Sequence, residues 1–443
     1  MNLDLTMIVS RLFCSVAVAS LTAIHPSIGI SLQTPKPTTV PQSPGLTDQT
    51  ESKSVTAEWN QWRGPKRTGV VNAAAWPNSV SSEHLKQIWT VKLGPSYSGP
   101  IVVGDQVFTT ETNSKKFEVV KAFDRQTGKE LWSTQWEGFM TVPFFASSNG
   151  SWIRATPAFD DGRLYVAGIK DLLVCLNAAT GEEIWKVDFP AQFKSDVPAF
   201  GFVCSPLIDG EHLYIQAGGA FCKLNKLTGE VLWRGLEDGG GMNGSAFSSP
   251  VIETVAGQRQ AIVQTRTSLC GVDLATGKTL WSQDIPTFRG MNILTPTIYG
   301  DNIFASSYGG STQLINVGKT NDQYSLTQKW NLPAQGYMNS PVVIAGHAYL
   351  HLKNQRLACY DLASGVEKWR SKPMGKYASM IGNGDQILAL DESGELLLFR
   401  ANPESFELLS SIKVGDDSWA HLAIRGNQLF VRNLNELIAF DWN

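Results

Sequence analysis

Three stretches carry residue types that could do chemistry, and their spacing bears on each. Val317-Gly318-Lys319-Thr320 ends like a phosphate loop, whose Gly-rich backbone cradles phosphate oxygens. That motif needs a Gly at position 313, where Gln313 stands. His347 and His351 lie four apart in a run that reads as a strand, so both face one side. Extended chain separates them by ~13 Å, too far to share one metal unless the strand bends. Residues 237–244 are Gly-rich and read as a loop between repeats. No Gly-x-Ser-x-Gly elbow, His-Glu-x-x-His pair, Asp-rich calcium loop or Cys-x-x-Cys-His site occurs.

A second group is aromatic, amide and basic, and precedes a series of short Pro-bearing strands. It comprises Tyr97, Trp152, Arg154, Phe202, Asn243, Phe247, Arg289, Asn292, Tyr337, Asn339, Tyr377, Trp419 and His421. Residues entering successive first strands converge on one face, so these are expected to ring a concave mouth. Aromatics with a few polar groups in a concavity make a binding site by default. Arg154, Arg289 and His421 favour an anionic or carbonyl-bearing ligand.

The elements that would position them come from a repeat. Asp124-Arg125-Gln126-Thr127-Gly128 is followed by Trp132, and Asn177…Gly181, Asn225…Gly229, Asp273…Gly277 and Asp361…Gly365 lead to Trp185, Trp233, Trp281 and Trp369. Trp330 closes a further unit whose turn has diverged. The period is about 40–50 residues, that of a four-stranded propeller blade. Residues 202–208 of the third unit read as a first strand, with hairpin-linked strands after it. Openings such as Thr156-Pro157, Ser205-Pro206 and Ser340-Pro341 put a proline, which cannot donate to a ladder, on the innermost strand.

Eight units are counted, and the last has only three strands. Residues 88–93 supply a spare strand with Trp89 in the repeat position. The fold class is therefore all-β: an eight-bladed β-propeller of four-stranded antiparallel blades, closed by an N-terminal strand completing the last blade. Trp89, Trp132, Trp185, Trp233, Trp281, Trp330 and Trp369 are read as packing between blades. Cys175, Cys222, Cys270 and Cys359 share a place just before the turn, as small buried hydrophobes do.

Residues 1–30 read as a signal peptide, with an apolar run over 12–24 that is short for a membrane span of about 20 residues. An uncleaved anchor is the alternative. Residues 31–57, rich in Pro, Ser and Thr, read as a linker. Residues 58–87 are expected to pack on the outside of the propeller domain, 88–443. A net charge of −3 gives no sign of nucleic acid as partner.

The Asp-x-x-Thr-Gly-x-x-x-Trp turn resembles the PQQ-binding-like propeller repeat of quinoprotein alcohol dehydrogenases and BamB-like assembly proteins. Trp59-Asn60-Gln61-Trp62-Arg63-Gly64-Pro65 resembles a segment of exported bacterial proteins in that group, where Arg63 is read as anchored to backbone carbonyls. The resemblance implies PQQ with calcium as a cofactor, held by a vicinal Cys pair and a Glu/Asn/Asp set, or the lipid-modified N-terminal Cys of a BamB-like protein. The chain has no Cys-Cys pair and no suitably placed N-terminal Cys. No cofactor and no metal are expected. The favoured function is an exported, periplasmic or envelope scaffold, monomeric and without a transmembrane domain after signal removal. It binds a protein, peptide or glycan partner through the mouth. The alternative is a divergent PQQ-dependent oxidoreductase.

Overall fold

The structure, a computed structural model, describes residues 58–242, 244 and 247–443. The expected signal peptide, the linker and Asn243 lie outside the described residues. The propeller is as expected: eight antiparallel blades, seven with strands in sequence order from the axis outward. Blade 1 runs Ile101–Val103, Gln106–Asn113, Phe117–Asp124 and Glu130–Glu137. Blade 8 has Ala423–Arg425, Gln428–Asn433 and Glu436–Trp442, and Leu85–Lys92 pairs antiparallel as its outer strand. The ring is thus closed by chain from before the first blade, which leaves no blade short of a strand.

Inner strands are shorter than the sequence implied. In blade 3 pairing covers only Leu207–Asp209, although residues from 202 onward were expected to join it. Pro206 lacks an N–H, so the ladder cannot extend through it. Ahead of the proline a different bond takes over. Gly99 N donates to Thr156 Oγ1, Thr156 N to Ser205 Oγ, Ser205 N to Ser249 Oγ, Ser249 N to Thr295 Oγ1, and Thr295 N to Ser340 Oγ, all at 2.9–3.1 Å. Five hydroxyls, one each from blades 2 to 6, therefore link six neighbouring blades around the axis.

The repeat motif explains itself at the blade interfaces. The Asp or Asn at its start accepts from backbone two and three residues on, as Asn225 Oδ1 does from Leu227 N and Thr228 N. This fixes a tight turn. The turn's Gly has positive φ, +76° at Gly229, and faces the Trp of the preceding blade. A Cβ on Gly229 would lie 2.7 Å from the Trp185 ring. The indole N–H of Trp185 then reaches Lys226 O in the same turn. Trp89, Trp132, Trp233 and Trp330 repeat the arrangement with Arg125, Ala178, Leu274 and Leu362. Core side chains accordingly gather between blades, and the largest cluster spans blades 7, 8 and 1. All five described cysteines are buried free thiols in these strands or beside them.

Residues 58–71 do not lie on the outside. Trp59 bridges Val102 on blade 1, and Asn60 exchanges hydrogen bonds with Phe159 on blade 2. The Arg67 guanidinium donates to Ser205 O and Pro206 O on blade 3. Arg63 donates to Thr68 O and, across the axis, to Pro341 O on blade 6. Val70–Val71 then pairs parallel to the inner strand of blade 7. The chain thus crosses the channel like a strap. It leaves along blades 7 and 8, where Asn383, Gln386 and Trp442 hold residues 74, 77 and 79. The strap crosses because inner strands end in carbonyls that only an inserted donor can satisfy. Arg63 and Arg67 supply those donors.

Candidate functional site

The strap closes one mouth and leaves the other open. Antiparallel four-stranded blades place every blade-to-blade connection on one face, and this loop face carries the opening. Behind it lies a cavity of about 1010 Å³. Trp62 from the strap forms part of its lining, edge-on to His421 with centroids 5.3 Å apart. The Arg63 and Arg67 guanidiniums lie 5.5 and 5.3 Å from the Trp62 ring. The hydroxyl-bearing residues Thr156, Ser205, Ser249, Thr295, Ser340 and Ser379 form the wall.

Aromatic side chains ring the opening in two arcs. One runs through Trp152, Tyr97, Trp419, Tyr377, Tyr337, Tyr308 and Phe288, each ring 3.7–6.3 Å from the next. Tyr97 and Trp419 are stacked at 4.6 Å and 13°. The second arc is Phe144, Phe145, Phe200 and Phe247, spaced 5.5–6.0 Å. Phe144 is 88% exposed, Phe145 56%, Phe288 48% and Met242 46%. Large apolar groups in such numbers at one rim are unusual for a solvated surface.

Of the residues expected at the mouth, Tyr97, Arg154, Phe247, Arg289, Tyr377, Trp419 and His421 line the cavity. Trp152 and Tyr337 stand in the second rank, Trp152 edge-on to Tyr97 and Tyr337 stacked on Tyr377. Phe202 is a correction: it is 2% exposed and packs in the core between blades 2 and 3. Asn292 and Asn339 are also buried, and Asn292 donates to Arg266 O. All three sit on the non-paired approach to an inner strand, where their side chains pack inward instead of toward the axis. Asn243 lies outside the described residues.

Sequence reading missed Trp62, Arg266 and the hydroxyl ring. The Ser/Thr ahead of proline in five blades was a visible signal for the ring, but only the proline was used. Arg266 gave no signal, because it sits on a hairpin turn that reaches the mouth only in the folded ring.

Charge in the cavity is one-sided. Arg154, Arg266 and Arg289 line it, and among the described residues no Asp or Glu does. Burial lowers the Arg154 guanidinium to about 10 and Arg63 to about 9, with Arg67 adding to the effect at Arg63. Arg154 and Arg63 both stay cationic at neutral pH. Burial, with the Arg63 charge, drives the His421 imidazole down to about 3, so it is neutral. His351, outside the cavity, is also lowered by burial, to about 4, and meets Gly375 O at 3.0 Å. No cluster of metal-ligating side chains is found among the described residues.

The family described as outer membrane protein assembly factor BamB matches residues 115–371, more than half of the chain. The chain belongs to that family. A BamB of Moranella endobia is 24% identical over 359 residues, covering 75% of this chain and 84% of its own length. The crystal structure of BamB from Moraxella catarrhalis superposes with a TM-score of 0.59 at 13% identity, covering 81% and 98%. A europium-containing methanol dehydrogenase gives 0.50 at 11% identity, covering 87% of this chain and 98% of the other. The last two likenesses concern the fold alone. The PQQ-like propeller family expected from the repeat is thus the one to which this BamB-family chain belongs.

Proposed function

We propose that this BamB-family chain is an exported, non-catalytic scaffold of the cell envelope that holds a protein partner at its loop-face mouth. The observation that carries this reading is the exposed aromatic rim around a deep cup, with Phe144, Phe145 and Phe288 facing solvent. Fully desolvated aromatic anchors dominate binding energy at protein interfaces. The relatives are named outer membrane protein assembly factors, which supports an envelope setting and a role in assembly. A peptide or glycan would use the same aromatic platform.

The oxidoreductase alternative meets a poor fit. Calcium takes six to eight oxygen ligands, largely carboxylates and carbonyls, and no carboxylate among the described residues lines the cavity. The described cysteines form no pair at the mouth. The lining does not fit a calcium-bound quinone.

Affinity capture from solubilised envelopes tests the proposal. The Phe145→Asp/Phe288→Asp variant should lose the partners that the unaltered chain retains. Unchanged capture by a variant of unchanged stability would refute it.

A further inference from the structure

The cup is lined by arginines and, among the described residues, by no carboxylate; Asp417 lies against Tyr97 at the rim. Arg154, Arg266 and Arg289 line the cup, and Arg63 and Arg67 stand against Trp62. Their hydrogen bonds run to carbonyl and amide oxygens. Arg63 reaches Thr68 and Pro341; Arg67 reaches Gln61, Ser205 and Pro206; Arg154 reaches Gly150; Arg266 reaches Arg289. Arg266 is only 7% exposed, yet its Nη1 has no hydrogen-bond partner among the described residues. Asp238 acts on Arg266 at a distance and forms no ion pair with it among the described residues.

Guanidinium cannot shed its proton to relieve this. A buried charge lacking a partner is costly. Low-dielectric walls also focus the field of like charges through the opening. An anion entering the cup would therefore meet donors already in place. Its size follows from the rim. A cavity of about 1010 Å³ exceeds what a small ion fills, and an apolar collar of Phe144, Phe145, Met242 and Phe288 surrounds the entrance.

We propose that the occupant is an acidic peptide segment of the protein partner. Its carboxylates meet Arg154, Arg266 and Arg289, and an apolar side chain beside them rests on the aromatic rim. This inference depends on the mouth-binding reading above and adds the chemistry of the segment. Charge complementarity of this sort gives selectivity and on-rate that weaken with salt.

The test uses the full chain and two short synthetic peptides, one bearing Asp and Phe, the other with every Asp replaced by Asn. Tryptophan fluorescence follows binding, since Trp62 and Trp419 line the cup. The acidic peptide should bind about tenfold more tightly at low ionic strength, the worth of one charge-assisted hydrogen bond. High salt should shrink the gap, and Arg289→Gln, at an exposed position, should reduce it to about twofold. Arg266→Gln should do the same from within the cup. Equal binding of both peptides overturns the acidic segment and leaves the mouth reading intact. Binding of neither also overturns it. If capture is then also indifferent to the Phe145→Asp/Phe288→Asp change, the mouth reading falls as well.

Discussion

Trp281 donates its indole N–H to Gln260 Oε1 at 2.7 Å, within its own blade. In the other six blades with a motif Trp that N–H goes to a backbone carbonyl of the following blade. The exception has a local cause. Blade 5 replaces the Gly turn with a long hairpin of Thr312–Thr320 and Gln323–Leu332, turning at Asn321 and Asp322, both with positive φ. Trp281 thus lacks its usual acceptor, and a buried glutamine serves instead.

Replacing that glutamine should be costly out of proportion to its size. Gln260→Leu strands a buried N–H and should lower unfolding free energy by about 1–3 kcal/mol. Adding Trp281→Phe should cost less than the sum of the two single changes. Urea denaturation of the four chains measures the coupling, and strict additivity would deny the bond its role.

The turn glycines make a second prediction. Gly229→Ala forces a side chain into left-handed backbone and to 2.7 Å from Trp185. Backbone strain and overpacking together should cost about 2–4 kcal/mol. Gly210→Ala has a similar φ, +55°, with nothing within 4 Å, so it should suffer the backbone strain alone. Paired denaturation curves separate the two contributions.

Two buried carboxyls predict a pH dependence. Burial raises Glu118 to about 7, against hydrogen bonds from Ile169 N and Trp136 Nε1. Burial likewise raises Asp171 to about 7, opposed by a bond from Gly218 N. For such an acid the folded chain keeps its proton at pH values where the unfolded chain has released it. Stability is therefore fully present below about pH 4 and is lost as pH rises through about 7. The loss should be on the order of 3 kcal/mol per group. Thermal melts between these limits should fall with pH, and Glu118→Gln should flatten part of the slope. Melts that rise across the window would contradict the assignment.

The strap offers a fourth test. Arg67→Met leaves Ser205 O and Pro206 O without their donor and should cost about 1–3 kcal/mol. Because Trp62 rests beside Arg67, its fluorescence should also shift. An unchanged stability with unchanged emission would mean that the strap does not depend on this anchor.

These features differ in how far the sequence disclosed them. The blade count was legible because five of the motif Trp residues, Trp89, Trp132, Trp185, Trp233 and Trp330, meet a Gly turn one blade on, and that pairing fixes both residue types at a constant spacing. The strap was not. Its contacts link Arg63 to Pro341 across 278 positions, and nothing local in residues 58–71 announces a channel to cross. At the mouth, Trp419 and Tyr377 were legible as loop aromatics next to a strand start. Phe202 looked equivalent, but in the folded ring it packs between blades 2 and 3. A loop residue's facing is set by how neighbouring sheets tilt, which a linear pattern does not encode.

The loop-face mouth is proposed as the place where a protein partner sits. Site-specific photo-crosslinking in intact cells tests it directly, with the probe at Phe145 or Phe288 on the rim and at Leu131 or Leu408 on exposed outer strands. Discrete protein adducts from the rim positions, absent from the outer-strand positions and lost on adding Trp419→Ala, are the predicted result. Adducts from the outer strands with a silent rim would contradict it.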